Sequence, residues 1–212
     1  MPVESGLERY RLPMFPLGSV LFPELGLPLR VFEPRYRQMM AECLDDDRRF
    51  GVVLIERGSE VGGGEVRHRV STVAQILDVT PQDDGTLGVF AVGIGRAEVI
   101  EWLPDAPYPA AIVTPLSDVD DLGEHFDDAV AAITKRLRFT LAQRTEANLP
   151  AAPATIELSP SSAIALWQVC ALVPATAFDD YGLLAARSAF ERLLALGELL
   201  DASADQVRFH LG

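Results

Sequence analysis

The sequence predicts an α+β fold: a twisted antiparallel β-barrel-like subdomain over residues 1–118, then an α-helical bundle over residues 119–212. Three observations carry this expectation. Short apolar runs separated by Gly, Pro and Asp turn residues fill the first half, with little helical spacing between them. After about residue 118 the apolar positions recur every three or four residues instead. Between these regimes, LPLRVFEPRYRQMM (27–40) changes abruptly from strand-like alternation to a helical run at Pro34.

In chain order, LPMFPL (12–17) reads as a short strand whose prolines suit an edge or a strand end. LPLRVF (27–32) follows the turn-like PELG. Pro34 fits the first position of a helix, where its missing N–H would have no partner anyway, and Tyr36, Met39, Met40, Cys43 and Leu44 then share one face. FGVVLIE (50–56) is apolar enough for a strand buried on both sides, and GSEVGGGEV is a glycine-rich loop. VSTVAQILDV (70–79) precedes QDDGTLGVFAVG (82–93), whose Asp-Gly turn signals a hairpin; GRAEVIEWL (95–103) and YPAAIVTPL (108–116) complete six or seven strands.

In the second half, Phe126, Val130, Ile133, Leu137 and Leu141 mark an amphipathic helix, with Asp118, Asp120 and Asp121 at its entry to suit the N-terminal dipole. Ser159 is the expected N-cap of the apolar helix SSAIALWQVCALV, which Pro174 ends. A short helix over 179–187 and a last one over 188–202 follow, the latter with Phe190, Leu193, Leu194 and Leu200 turned inward.

Composition narrows the chemistry. A formal net charge of −13 repels phosphate backbones and anionic membranes, so neither nucleic acid nor membrane is an expected partner. No apolar h-region follows a basic start and no run is long enough to span a bilayer, so a cytoplasmic protein is expected. Cys43 and Cys170 lie far apart and read as buried thiols. His68, His125 and His210 have no partner at metal-ligand spacing, so no metal is expected. Gly62-Gly63-Gly64 lacks the lysine and hydroxyl of a phosphate loop, and Gly93-Ile94-Gly95 is followed by an alternating strand where a dinucleotide site needs a helix. There is no G-x-S-x-G elbow, and the sole lysine, Lys135, falls on the polar face of its helix. No catalytic residue and no cofactor are expected, and the chain reads as a non-enzyme.

FPLGSVLFP, RVFEPRYR, FGVVLIERGSEVGG, the VSTVAQI strand, the DDG turn, VGIGRAEV and PYPAAIV, in this order, resemble the N-terminal (LON substrate-binding) domain of the Lon protease family. DDYGLLAARSAFERLLALGELL resembles the helical bundle of the same module. The resemblance implies a PUA-like twisted β-barrel beside helices, and a role in capturing polypeptides. The chain stops after this module without a Walker loop, so the resemblance implies a form lacking ATPase and peptidase domains.

The 33–37 corner has two readings: a salt-bridged joint that fixes the strand-to-helix angle, or the border of an apolar groove. In the second, Phe32, Glu33, Arg35, Tyr36, Met39 and Glu60 are the candidate peptide-binding residues, with the loop Gly58–Gly64 alongside, and an extended segment docks by strand addition or by filling pockets. The expected function is a polypeptide-binding or adaptor module whose partners are unfolded or exposed segments and a separate protease or chaperone. The alternative is a structural or regulatory protein with one dedicated partner.

Overall fold

A computed structural model describes residues 8–57, 66–119 and 123–211. The chain divides into two compact units, Met1–Ser117 and Asp118–Gly212.

Among the described residues the first unit carries six strands and one helix: β1 (Tyr10–Leu17), β2 (Gly26–Val31), α1 (Pro34–Asp45), β3 (Arg49–Arg57), β4 (Val66–Pro81), β5 (Leu87–Leu103) and β6 (Ala110–Leu116). They form one mixed sheet in the order β2-β5-β4-β3-β1-β6, and a further β5–β6 pairing closes β1, β3, β4, β5 and β6 into a ring. The ring is not a regular barrel, and it departs from the all-antiparallel expectation at one place. β1 and β3 run parallel, Met14 opposite Gly51 and Leu17 opposite Leu54. A parallel neighbour needs a crossover, and the excursion through β2 and α1 supplies it.

The two faces of the sheet bury separate apolar sets, as a period of two dictates. Leu12 and Met14 of β1 join Val53, Val73, Val99 and Val113 in one cluster. Phe15 and Leu17, of opposite parity, join Phe50, Val52, Ile76 and the inner side of α1 in the other. This double burial explains why FGVVL lacks alternation.

β5 is a single strand of 17 residues where the sequence suggested two. Its first part pairs with β2, from Leu87 opposite Val31 to Val92 opposite Gly26, and its second part pairs with β6. The change of neighbour falls at Gly93-Ile94-Gly95, where the β4 register skips Ile94, a bulge that bends the strand. A Cβ on Gly93 would lie 2.6 Å from the Phe22 carbonyl oxygen, and the backbone of Gly93 exchanges hydrogen bonds with Glu24 and Leu25. The glycine that resembled a cofactor fingerprint is where the loop leading into β2 is clamped against the sheet.

The second unit holds α2 (Phe126–Glu146), α3 (Ser162–Leu172), α4 (Ala177–Ala185) and α5 (Ala189–Leu211) after a short 3₁₀ turn (Gly123–His125). α2 packs on α3 and α5, and α4 on α5. Three expectations need correction. α2 starts at Phe126, so its first turn carries Asp127 and Asp128; Asp118 is instead paired to Arg192, while Asp120 and Asp121 lie outside the described residues. The N-cap of α3 is Ser161, because the Gln168 side chain accepts from the Ser159 amide (2.7 Å) and keeps Ser159-Pro160 in the preceding connector. α5 turns Ala189, Arg192, Leu196, Leu200, Ser203 and Val207 inward, leaving Phe190 and Leu194 51% and 55% exposed.

Arg192 takes the inward place that its apolar neighbours were expected to hold. Its guanidinium grips both oxygens of Asp118 (3.0 and 2.9 Å), donates to the carbonyls of Leu183 (3.1 Å) and Ala186 (3.3 Å), and stacks 4.0 Å from the centre of the Trp167 ring. A buried charge persists when each of its nitrogens finds such a partner and an opposite charge lies against it. Thr176 caps α4 through a reciprocal capping box with Asp179.

Candidate functional site

The corner is built by competition between two backbone preferences. Glu33 stays extended (φ −69°, ψ 134°) before Pro34, while its carbonyl accepts the amides of Tyr36 (3.1 Å) and Arg37 (3.0 Å) and so starts α1. The Glu33 carboxylate does not cap the helix; it accepts from Arg35 Nε at 3.0 Å, and both side chains are largely shielded. Arg35 lies over the Tyr36 ring, 4.5 Å from its centre, and Tyr36 in turn packs against Phe15 with ring centres 4.4 Å apart. Arg35 Nη2 is buried without an acceptor among the described residues. This stack fixes the angle at which α1 leaves the sheet.

Beside the stack opens a recess of about 230 Å³. Phe15, Leu17 and Tyr36 are its buried floor; Leu29, Val31 and Glu33 form its side, and Phe32, 54% exposed, stands on its rim. Of the six candidate residues, Phe32, Glu33 and Tyr36 therefore line one recess and Arg35 braces it from behind. Met39 is fully buried in the core and supports the floor without presenting surface. Glu60 and the Gly58–Gly64 loop lie outside the described residues.

The residues that sequence reasoning passed over belong to β2. Among the described residues this strand pairs with β5 alone, so its other edge is unpaired. Leu27, Leu29 and Val31 point to the core while Gly26, Pro28 and Arg30 face out. Pro28 removes one N–H and Arg30 sets a charge there, two devices that limit indiscriminate pairing of an open edge. Arg30 is also tied to the β4–β5 turn through Asp84 and Thr86. Hydrogen bonds from Thr86, then from Arg30, hold the Asp84 carboxyl down at about 2, so this tether stays ionised throughout the neutral range. The alternation of LPLR was the available signal.

Elsewhere, burial pushes the Cys43 and Cys170 thiols up to about 12, which makes both poor nucleophiles. Burial, reinforced by the charge of Asp179, raises the Asp180 carboxyl to about 6. Among the described residues no group of three or more His, Cys, Asp or Glu side chains is placed to hold a metal ion, and no helix is long and apolar enough to cross a membrane.

Comparison with known proteins agrees with this geometry. A Lon protease of Syntrophus aciditrophicus is 30% identical over 107 residues, covering 48% of this chain and 14% of that protein. Lon protease 2 of Myxococcus xanthus is 31% identical over 109 residues, covering 50% and 13%. The chain thus matches only a small part of these relatives. The crystal structure of a Lon N-terminal domain protein from Xanthomonas campestris superimposes with a TM-score of 0.60 at 26% identity, over 91% of this chain and 98% of that one. The N-terminal domain of a Mycobacterium avium complex Lon protease shares the fold, with a TM-score of 0.65 at 16% identity. The family model described as the ATP-dependent protease La (LON) substrate-binding domain matches residues 11–202, and the chain belongs to that family.

Proposed function

We propose that this chain recognises exposed polypeptide segments by adding them as a strand to the free edge of β2, with Phe32 as the apolar anchor over the adjacent recess. The observation that carries this reading is the coincidence, in one place, of a strand edge with no partner among the described residues, a half-exposed aromatic and an apolar-floored cavity. Main-chain hydrogen bonds along such an edge give affinity that depends little on sequence, and a shallow pocket adds a preference for one bulky apolar side chain. The substrate-binding description of the family supports the same role. Glu33, Arg35, Tyr36 and Met39 then act by holding the strand end and the recess in shape. In this reading the bound segment is presented to a separate protease or chaperone, and the chain performs no chemistry on it.

The test is titration of the purified chain with a permanently unfolded polypeptide. Phe32→Ala removes a side chain that is 54% exposed, so the fold is retained. Binding is expected to weaken about tenfold, from loss of about 1.5 kcal/mol of apolar burial. Unchanged affinity in the folded variant contradicts the assignment.

A second reading, one dedicated protein partner, draws on Phe190 and Leu194, exposed one turn apart on α5. A single dominant partner, together with no affinity for unfolded polypeptide, would favour it.

A further inference from the structure

The helical unit contains a cavity of about 400 Å³ between the end of α2, the α3–α4 connection and α5. Arg144, in the last turn of α2, is 7% exposed and lines it. Its Nε donates to the Pro150 carbonyl (3.0 Å), and its Nη1 donates to Ser203 Oγ (3.1 Å) and Gln206 Oε1 (3.0 Å). All three acceptors are neutral. Nη2 has no acceptor among the described residues, and no carboxylate there pairs with this guanidinium. Arg192, the other deeply buried arginine of this unit, has Asp118. Three bonds through Nε and Nη1 suffice to tie the end of α2 to the following chain; the open Nη2 edge is surplus to that structural task. A buried cation facing a cavity with only neutral partners is stabilised when an anion enters.

We propose that this cavity binds a carboxylate group on Arg144, carried by a ligand with an apolar neighbour. Pro174 and Leu199 supply apolar wall, and Ser203 already points its hydroxyl at the guanidinium. Asp179 also lines the cavity, its carboxylate accepting from the Thr176 amide (2.9 Å) and hydroxyl (2.7 Å). Its negative charge disfavours a dianion such as phosphate and leaves a monoanionic carboxylate as the better match. Two sources supply such a group, the C-terminus of a polypeptide and a small free organic acid. The site shares no residue with the β2 edge, so it stands or falls separately from the proposed function.

Calorimetric titration of the full chain with N-acetyl-leucine, N-acetyl-leucinamide, inorganic phosphate and a leucine-ended heptapeptide tests it. The free acid is expected to bind about tenfold more tightly than its amide, because the amide removes the charge that Arg144 receives. Ala202→Trp, on the exposed surface of α5 at the cavity mouth, fills the space without touching the bonds of Arg144 and is expected to abolish binding. No saturable binding of the acid, equal binding of acid and amide, tighter binding of phosphate, or undiminished binding by the folded Ala202→Trp chain would each overturn the proposal. If the heptapeptide binds more tightly than N-acetyl-leucine the source is a chain terminus, and if the two are equal it is a small acid; both results uphold the carboxylate.

Discussion

Arg192→Leu is expected to destabilise the helical unit by about 3–5 kcal/mol, although leucine is the more apolar residue. The substitution removes a bidentate partner from Asp118, strips the Leu183 and Ala186 carbonyls of their side-chain donor, and leaves the Trp167 face without its stacked guanidinium. Each of these acceptors loses the bond that Arg192 supplies while the desolvation cost of its burial remains. Urea unfolding followed by the helical circular dichroism signal checks this. A midpoint within error of the parent would show that the network contributes only geometry.

Gly93→Ala is expected to cost about 3 kcal/mol, at the upper end of what one added methyl group usually does. The new Cβ would approach the Phe22 carbonyl oxygen to 2.6 Å, Thr72 Cγ2 to 2.9 Å and Pro23 Cα to 3.1 Å. Two of these are backbone atoms, and a rotamer change cannot relieve them. The loop must shift, and with it the hydrogen bonds by which Glu24 and Leu25 hold the start of β2 to β5. The same variant should therefore lose polypeptide affinity beyond what its stability predicts. An alanine variant with parental stability would show that the loop can move aside freely.

Where one local rule governs, the sequence was readable. Pro34 with the Tyr36, Met39, Met40 and Cys43 stripe located α1 because burial and helical period agree there. The Asp84-Gly85 pair marked the turn between β4 and β5, where Gly85 takes φ +79°. Where a distant partner overrides local pattern, the reading failed. The face of α5 was misjudged because Arg192 looks solvent-seeking until Asp118, remote in sequence, is seen to receive it. The parallel β1–β3 pair has no local signature, since nothing in either strand encodes the direction of its neighbour. The candidate site was legible only in part for the same reason. Phe32, Glu33 and Tyr36 stand together because a single corner carries them, whereas the openness of the β2 edge depends on which strands pair elsewhere in the sheet. Tyr36 and Met39 share the buried face of α1, but Tyr36 lines the recess and Met39 does not, a distinction that spacing alone blurs.

Residue-resolved hydrogen exchange of the chain, with and without an unfolded polypeptide, tests the central claim most directly. Strand addition predicts that the amides of residues 26–32 not already bonded to β5 slow on binding, Pro28 having none to report, while β3 and β4 are unchanged. Polypeptide binding with undiminished exchange along β2, or with protection confined to another part of the chain, would contradict it.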